Sequence, residues 1–130
     1  MTAVLFDTHV LHWWTAEPHR LSPAALEAIS DADELVVAAI SWYELAWLAT
    51  HDRILLGLPL RAWLDSLVID VRTIPISPSI AATAVELSAS FPGDPADRLI
   101  YATAIEKGLR LVTKDRRLRS HKYPRRITVW

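Results

Sequence analysis

The sequence contains no cysteine, and this absence excludes a disulfide framework and any metal site built on thiolates. No apolar stretch approaches the length that a membrane-spanning helix needs, and no basic segment precedes an apolar run at the amino terminus. A glycine-rich phosphate loop and a Ser-His-Asp order are also missing. We therefore expect a cytoplasmic protein that has no membrane association.

The composition is that of a folded chain. Its 130 residues are 52% hydrophobic and 22% charged, which supplies enough apolar surface for a core. Because no repeat, low-complexity tract or linker interrupts the pattern, residues 1–130 are expected to form a single domain. The six tryptophans lie mostly at helical apolar spacing, which favours positions in the core or a dimer interface over base-stacking platforms.

The net charge of −1 hides an uneven distribution of charged residues. Residues 1–109 carry 14 acidic side chains and 6 Lys or Arg, whereas residues 110–130 carry 8 Lys or Arg and one acid, Asp115. A basic tail beside acidic residues indicates a protein that handles a polyanion while it holds cations. A tail that serves only solubility explains these charges equally well, so composition leaves both interpretations open.

Short apolar runs alternate with helical patterns along the whole chain. Strands are predicted at residues 3–6, 35–40, 71–74, 109–112 and 127–129. Helices are predicted to begin near residues 8, 23, 42, 60, 78, 95 and 116. This alternation predicts an α/β fold, a three-layer α/β/α sandwich around a mainly parallel sheet.

Four carboxylates lie where a parallel sheet gathers its ligands, beyond the carboxyl ends of strands or in the first turn of the following helix. They are Asp7, Glu44, Asp97 and Asp115. Ordinary structural roles are available to some of them: Asp7 can cap a helix, and Glu44 completes a Ser41-x-x-Glu44 capping box. Four such residues together indicate a cluster.

A carboxylate cluster has a chemical consequence. Acids that share a pocket repel one another and raise each other's pKa, and a divalent cation removes that penalty. Oxygen ligands without histidine or cysteine favour Mg²⁺ or Mn²⁺ over zinc. Such an ion lowers the pKa of bound water and stabilises charge on phosphate oxygens. The cluster therefore favours hydrolysis of a phosphodiester by metal-activated water.

The motifs jointly resemble those of PIN-domain nucleases, in particular the VapC-like toxins of bacterial toxin–antitoxin pairs. The matching segments are Asp7-Thr8-His9, Ser41-x-x-Glu44, residues 94–104 and residues 111–115, and together they extend over nearly the whole chain. The resemblance implies a PIN-like fold and a Mg²⁺- or Mn²⁺-dependent endoribonuclease that cleaves RNA. It also implies a homodimer that is inhibited by a small cognate antitoxin.

The resemblance further implies roles for individual residues. Asp7 and Asp97 match the main metal ligands of the family, and Glu44 and Asp115 match the acids that complete or orient the metal site. Thr113 matches a hydroxyl residue that lies two positions before the fourth acid.

Further residues are supporting candidates. Thr8 adjoins Asp7, Asp94 is placed to cap a helix, and Arg98 is expected to contact phosphate or brace the acids. The basic residues that follow the fourth acid are expected to hold the RNA backbone; they are Arg116, Arg117 and Arg119.

Two other classes of protein remain open. A catalytically silent PIN-like module would bind RNA or protein without cleaving, but the presence of all four acids argues against it. A receiver-type phospho-accepting α/β domain also gathers acids at strand ends. That class needs an aspartate after its third strand, and here Lys114 stands beside Asp115 with no such aspartate in the middle of the chain.

Overall fold

The computed structural model describes residues 2–130 as alternating strands and helices. The five strands are β1 Ala3–Phe6, β2 Glu34–Ala38, β3 Arg72–Ile74, β4 Arg110–Val112 and β5 Thr128–Val129. The α-helices are α1 Thr8–Ala16, α2 Pro23–Asp31, α3 Ile40–Thr50, α4 Leu60–Val68, α5 Pro78–Glu86, α6 Pro95–Lys107 and α7 Arg116–Arg119, and a short 3-10 helix spans Pro18–Arg20. No helix within residues 2–130 is long and apolar enough to cross a membrane.

The strands form one parallel sheet in the order β3-β2-β1-β4-β5. β1 is central, because Leu5 pairs with Val36 of β2 on one side and with Leu111 of β4 on the other. The chain builds outward from β1 through β2 and β3, then returns to place β4 and β5 on the opposite side. The order therefore reverses at β1, and a crevice at the carboxyl end of such a reversal is where parallel sheets bind ligands.

Helices cover both faces of the sheet. Successive residues of β1 point to opposite faces, so Leu5 belongs to a core with α5 and α6, whereas Val4 and Phe6 belong to a core with α1, α2 and α3. Leu5, Phe6 and Tyr101 are fully buried between these layers. The predicted three-layer α/β/α sandwich with a parallel sheet is confirmed.

The capping residues that the sequence predicted are found at the starts of three helices and at the end of α6. The side chains of Ser22, Ser77 and Asp94 each accept a backbone N–H bond at the start of α2, α5 and α6. Gly108 ends α6 in the left-handed conformation, with φ 63°, which glycine adopts without strain. These ends place Asp97 at the third position of α6, as the sequence indicated.

One predicted boundary, between β2 and α3, is wrong. The strand was expected to reach Ile40, but β2 ends at Ala38, and Ala39 already has helical angles of φ −52° and ψ −35°. Helix α3 begins at Ile40, so Ser41 lies inside the helix and closes no capping box. A single apolar run includes both the end of the strand and the start of the helix, so the sequence does not show where one ends and the other begins. Glu44 is thus the fifth residue of α3 and not the third, two residues further into the helix than expected.

Candidate active site

A cleft of about 540 Å³ lies beyond the carboxyl ends of β1 and β4. The four predicted acids all line it, although they come from the end of β1, from α3, from α6 and from the loop after β4; they are Asp7, Glu44, Asp97 and Asp115. Thr8 and Asp94 line the same cleft. The sheet polarity brings these residues together, since the segments that leave neighbouring parallel strands meet at one end of the sheet.

Asp7 is held between the two central strands. Its Oδ1 accepts a hydrogen bond of 2.8 Å from the backbone N–H of Thr8, and its Oδ2 accepts one of 2.6 Å from the hydroxyl of Thr113, which follows β4. Burial raises the pKa of Asp7, while the bonds from Thr113 and Thr8 act in the opposite direction. The carboxylate is therefore fixed in orientation and poorly solvated, so it is costly to leave charged without a cation.

Glu44 reaches the cleft from α3 and is held by Thr8. The hydroxyl of Thr8 donates to the carboxylate of Glu44 and lies 3.0 Å from the hydroxyl of Ser41. Because a hydroxyl has one proton, both contacts are satisfied when Ser41 donates to Thr8 and Thr8 donates to Glu44. Burial raises the pKa of Glu44, and the charge of Asp7 adds to the shift. Ser41 thus has a positioning role that sequence analysis missed.

Asp97 and Asp115 share one cation, Arg117. The Nη2 atom of Arg117 lies 3.2 Å from Oδ2 of Asp97 and 3.0 Å from Oδ2 of Asp115. The backbone N–H and the Nε of Arg117 also donate to Asp115, at 2.8 and 3.3 Å. Asp115 caps α7 and Arg117 is the second residue of that helix, so the sequence spacing itself creates this pair.

The pKa values of Asp97 and Asp115 are shifted in opposite directions. Burial, reinforced by neighbouring carboxylates that include Asp94, raises the pKa of Asp97 to about 7, and Arg117 offsets only part of the rise. Burial also acts to raise the pKa of Asp115, but the hydrogen bonds from Arg117 outweigh it and leave that pKa lowered. Arg117 therefore neutralises Asp115 more fully than Asp97.

The chemistry of the donor set fits a hard divalent cation, because the cleft offers several carboxylate oxygens that repel one another. As they are placed, however, no group of three His, Asp or Glu side chains within residues 2–130 is arranged to hold a metal ion. Arg117 lies between Asp97 and Asp115. A metal ion that uses the Oδ2 atoms of these two acids therefore competes with the guanidinium group for them.

Arg98 does not line the cleft, so its expected contact with phosphate stays a prediction, and it braces the acids only through the backbone. Its guanidinium group donates four hydrogen bonds of 2.8 to 3.2 Å to backbone carbonyls between residues 84 and 92. These carbonyls lie at the end of α5 and in the turn before α6. Arg98 therefore ties α5 to the start of α6, and this fixes the segment that carries Asp97.

The three arginines predicted to bind RNA lie in different surroundings. Arg116 and Arg117 line the cleft, whereas Arg119 is partly buried outside it. Arg116 is exposed and forms no salt bridge with any of the described residues 2–130. Its charge is therefore available to a polyanion, while that of Arg117 is shared with the acids.

Comparisons with known proteins identify the family of the chain. The family model described as PIN domain matches residues 4–122. Over 130 residues the chain is 68% identical to Ribonuclease VapC22 of Mycobacterium tuberculosis, and the alignment covers 100% of both chains.

Solved structures share the fold. A toxin–antitoxin complex from Klebsiella pneumoniae has a TM-score of 0.62 at 23% identity, with 86% of each chain covered. VapBC2 from Rickettsia felis, bound to a DNA fragment from its promoter, has a TM-score of 0.65 at 16% identity, with 88% of this chain and 89% of that one covered. The family match and the 68% identity show that this chain belongs to the PIN-domain family, among the VapC ribonucleases that its motifs resemble.

Proposed function

We propose that this protein is a metal-dependent endoribonuclease that hydrolyses RNA phosphodiester bonds and serves as the toxin of a toxin–antitoxin pair. The observation that carries the proposal is the convergence of Asp7, Glu44, Asp97 and Asp115 in one cleft at the carboxyl ends of β1 and β4. The 68% identity to a protein named as a ribonuclease supports RNA as the substrate.

Asp7 and Asp97 are the proposed main ligands of Mg²⁺ or Mn²⁺, and Glu44 and Asp115 complete or orient the site. When bound, a divalent cation supplies Lewis-acid activation of water and of the phosphate. The chain itself supplies orientation, because the threonine hydroxyls that bond Asp7 and Glu44 fix the direction of those carboxylates. Arg116, at the cleft, supplies attraction for the RNA backbone.

The proposal is tested by incubating the purified protein with unstructured RNA in millimolar Mn²⁺ or Mg²⁺ and, separately, in EDTA. We expect internal cleavage with the metal and none in EDTA. The products should carry no 2′,3′-cyclic phosphate, because water and not the ribose 2′-hydroxyl is the nucleophile. Glu44→Gln should abolish cleavage while the protein remains folded by circular dichroism.

Three results would contradict parts of the proposal. Cleavage that persists in EDTA would exclude the metal, and a cyclic phosphate product would exclude attack by water. RNA binding without cleavage by the wild-type protein, across a panel of cellular RNAs, would favour the silent PIN-like module.

We also propose a small cognate antitoxin as partner, a homodimeric state and a cytoplasmic location. The likeness in fold to two toxin–antitoxin complexes supports the first, and the resemblance to VapC-like toxins supports the others. Light scattering of the chain alone, and of the chain mixed with the cognate antitoxin, tests the assembly. A chain that stays monomeric and does not bind the antitoxin would contradict the proposed assembly, and the proposed cleavage reaction would still stand.

A further inference from the structure

The cleft that holds the acids has a second wall, formed by His9, Trp13 and Lys114, which we term the aromatic wall. His9 and Trp13 lie one turn apart on α1 and therefore share a face of that helix. Their ring centroids are 5.7 Å apart and the rings are tilted by 43°. The Nζ atom of Lys114 lies 5.8 Å from the centre of the Trp13 ring, within reach of a cation–π contact.

Trp13, like Trp14, is partly buried and packs against the core, and it also lines the cleft. The next residue, Trp14, packs its ring against the fully buried Phe6 at 5.6 Å. Trp13 is only partly buried and keeps part of its surface in the cleft. Outside the cleft, the centroid of the Trp130 ring lies 6.0 Å from that of Trp13, and Cζ of Arg20 lies 5.7 Å from the centre of the Trp13 ring. These contacts limit the freedom of the indole to move. Trp13 therefore has the core contact that the sequence favoured for the tryptophans and, in addition, a surface in the cleft.

Lys114 keeps its charge available to a ligand. It is exposed and lines a cleft with five carboxylates, yet it forms no salt bridge with any side chain of residues 2–130. Its ammonium group lies over the face of the Trp13 ring. Arg117, three residues later, is instead bound to two acids. The aromatic wall thus presents an indole ring and, over its face, an ammonium group that forms no salt bridge with residues 2–130, so a base that stacks on Trp13 takes the place of the Lys114 ammonium group.

We propose that the aromatic wall binds one nucleotide of the RNA beside the bond that is cleaved. The base stacks on Trp13 and His9, and Lys114 contacts the phosphate next to it. Every base has a π face, so this subsite contributes affinity and register more than recognition of a particular base. The inference rests on the RNA cleavage proposed above and adds the residues that hold the substrate.

The inference is tested by the affinity for a short fluorescent RNA in EDTA, where the strand stays intact, and for copies that each lack one base. The wild-type protein should lose affinity when the base is missing at one or two adjacent positions. Trp13→Ala should weaken binding of the complete strand by roughly 5- to 100-fold and should no longer respond to those missing bases. Trp13→Phe keeps a ring and should restore most of the affinity and the response.

Matched controls separate stacking from packing and from bulk charge. Trp63→Ala removes a partly buried ring that lies outside this cleft and should leave RNA binding unchanged. Lys114→Ala should lower the slope of log affinity against log salt by about 0.7, the value for one contact with a single strand. Lys107→Ala removes an exposed lysine from the end of α6 and should leave that slope unchanged.

Each outcome bears on one proposal or both. If folded Trp13→Ala binds and cleaves RNA as the wild type does, the subsite is overturned and the nuclease proposal stands. If Trp13→Ala and Trp13→Phe lose affinity equally and Trp13→Ala still responds to the same missing bases, the ring is structural and the subsite is again overturned. A wild-type protein that neither binds nor cleaves RNA would overturn both proposals.

Discussion

At the amino ends of the strands, a carboxylate is matched with a partner. Glu34, the first residue of β2, accepts two hydrogen bonds of 2.9 Å from Arg72, the first residue of β3, and these bonds lower the pKa of Glu34. At the carboxyl ends, five carboxylates line one cleft, and within residues 2–130 only Arg117 forms salt bridges with any of them. There, burial and mutual repulsion raise the pKa of Asp97 to about 7.

The two ends of the sheet therefore use charge for different purposes. An exposed ion pair such as Glu34–Arg72 satisfies its own electrostatics and contributes little to stability. A cluster in which burial raises the pKa of Asp7, Glu44 and Asp97 retains repulsion that packing must offset, and such clusters are typical of functional sites. Because both ends belong to one sheet, each supplies the matched control for the other.

The largest expected effect is on cleavage. Asp97→Asn should lower the rate of RNA cleavage by at least about 100-fold, since the loss of even an outer partner of a metal ligand costs roughly 10- to 100-fold. Glu34→Gln, at the amino ends of the strands, should cleave at the wild-type rate. Initial rates on one RNA substrate measure both. A rate for Asp97→Asn equal to that for Glu34→Gln would erase the functional difference between the two ends.

The second effect is a dependence of stability on pH in the absence of metal. The pKa of Asp97 is about 7 in the folded state and about 3.9 in an unfolded chain, so the folded state binds more protons between these values. The free energy of unfolding should therefore fall as the pH rises through this window, by roughly 2–4 kcal/mol.

Denaturant unfolding in EDTA at about pH 5 and about pH 8 measures this loss. Asp97→Asn should show a much weaker dependence, because its amide does not titrate. Millimolar Mn²⁺ should restore stability at the higher pH. If the free energy of unfolding of the wild type is higher at the upper pH than at the lower one, the pKa values of the carboxylates are not raised as described. The contrast between the two ends of the sheet then fails.

A smaller effect is expected when Arg117, which bridges Asp97 and Asp115, is replaced. Arg117→Ala should destabilise the metal-free protein above neutral pH by about 0.5–1 kcal/mol, since 65% of the Arg117 side chain is exposed and its salt bridges are screened. It should also tighten Mn²⁺ binding several-fold, because the guanidinium group no longer competes for Asp97 and Asp115.

Titration calorimetry with Mn²⁺ measures this second change. Arg116→Ala removes the same charge from the cleft without removing a salt bridge, so it should change the affinity less. Weaker Mn²⁺ binding by Arg117→Ala would show instead that Arg117 orients the acids for the ion.

The smallest effect on stability is expected at the amino ends of the strands. Its dependence on pH is opposite to that of Asp97, because the contribution of Glu34 to stability is lost as the pH falls. The pKa of Glu34 is lowered in the folded state, so its contribution to stability is present above the unfolded pKa and is lost as the pH falls. Glu34→Gln should therefore melt slightly below the wild type at neutral pH and match it in acid. A difference between the two proteins that grows as the pH falls would contradict this assignment.

The sequence predicted structure best where a residue has one strong local preference. Asp94 and Pro95 marked the start of α6, and Gly108 marked its end, because a cap, a fixed φ and a left-handed turn each depend on one residue. Asp7 and Asp97 could be placed in one site for the same reason, since strand and helix ends locate them without knowledge of the packing.

The features that the sequence missed depend on tertiary contacts. Arg117 reaches Asp97, which lies 20 residues earlier, and no local pattern records that approach. Arg98 turns toward the carbonyls of α5 because that helix packs against α6, so its position beside Asp97 in the sequence does not bring it into the cleft. Ser41 looked like a cap because an apolar run hid the change from strand to helix.

The hydrogen bond between Thr113 and Asp7 joins residues that are 106 positions apart. During synthesis, β1 and Asp7 are therefore made long before β4 and Thr113. Until then β1 has only β2 to pair with, and the crevice between β1 and β4 does not exist. A chain that lacks β4 thus holds the first acid without the site, so the proposed RNA-cleaving activity arises only after β4 has been made and has paired with β1.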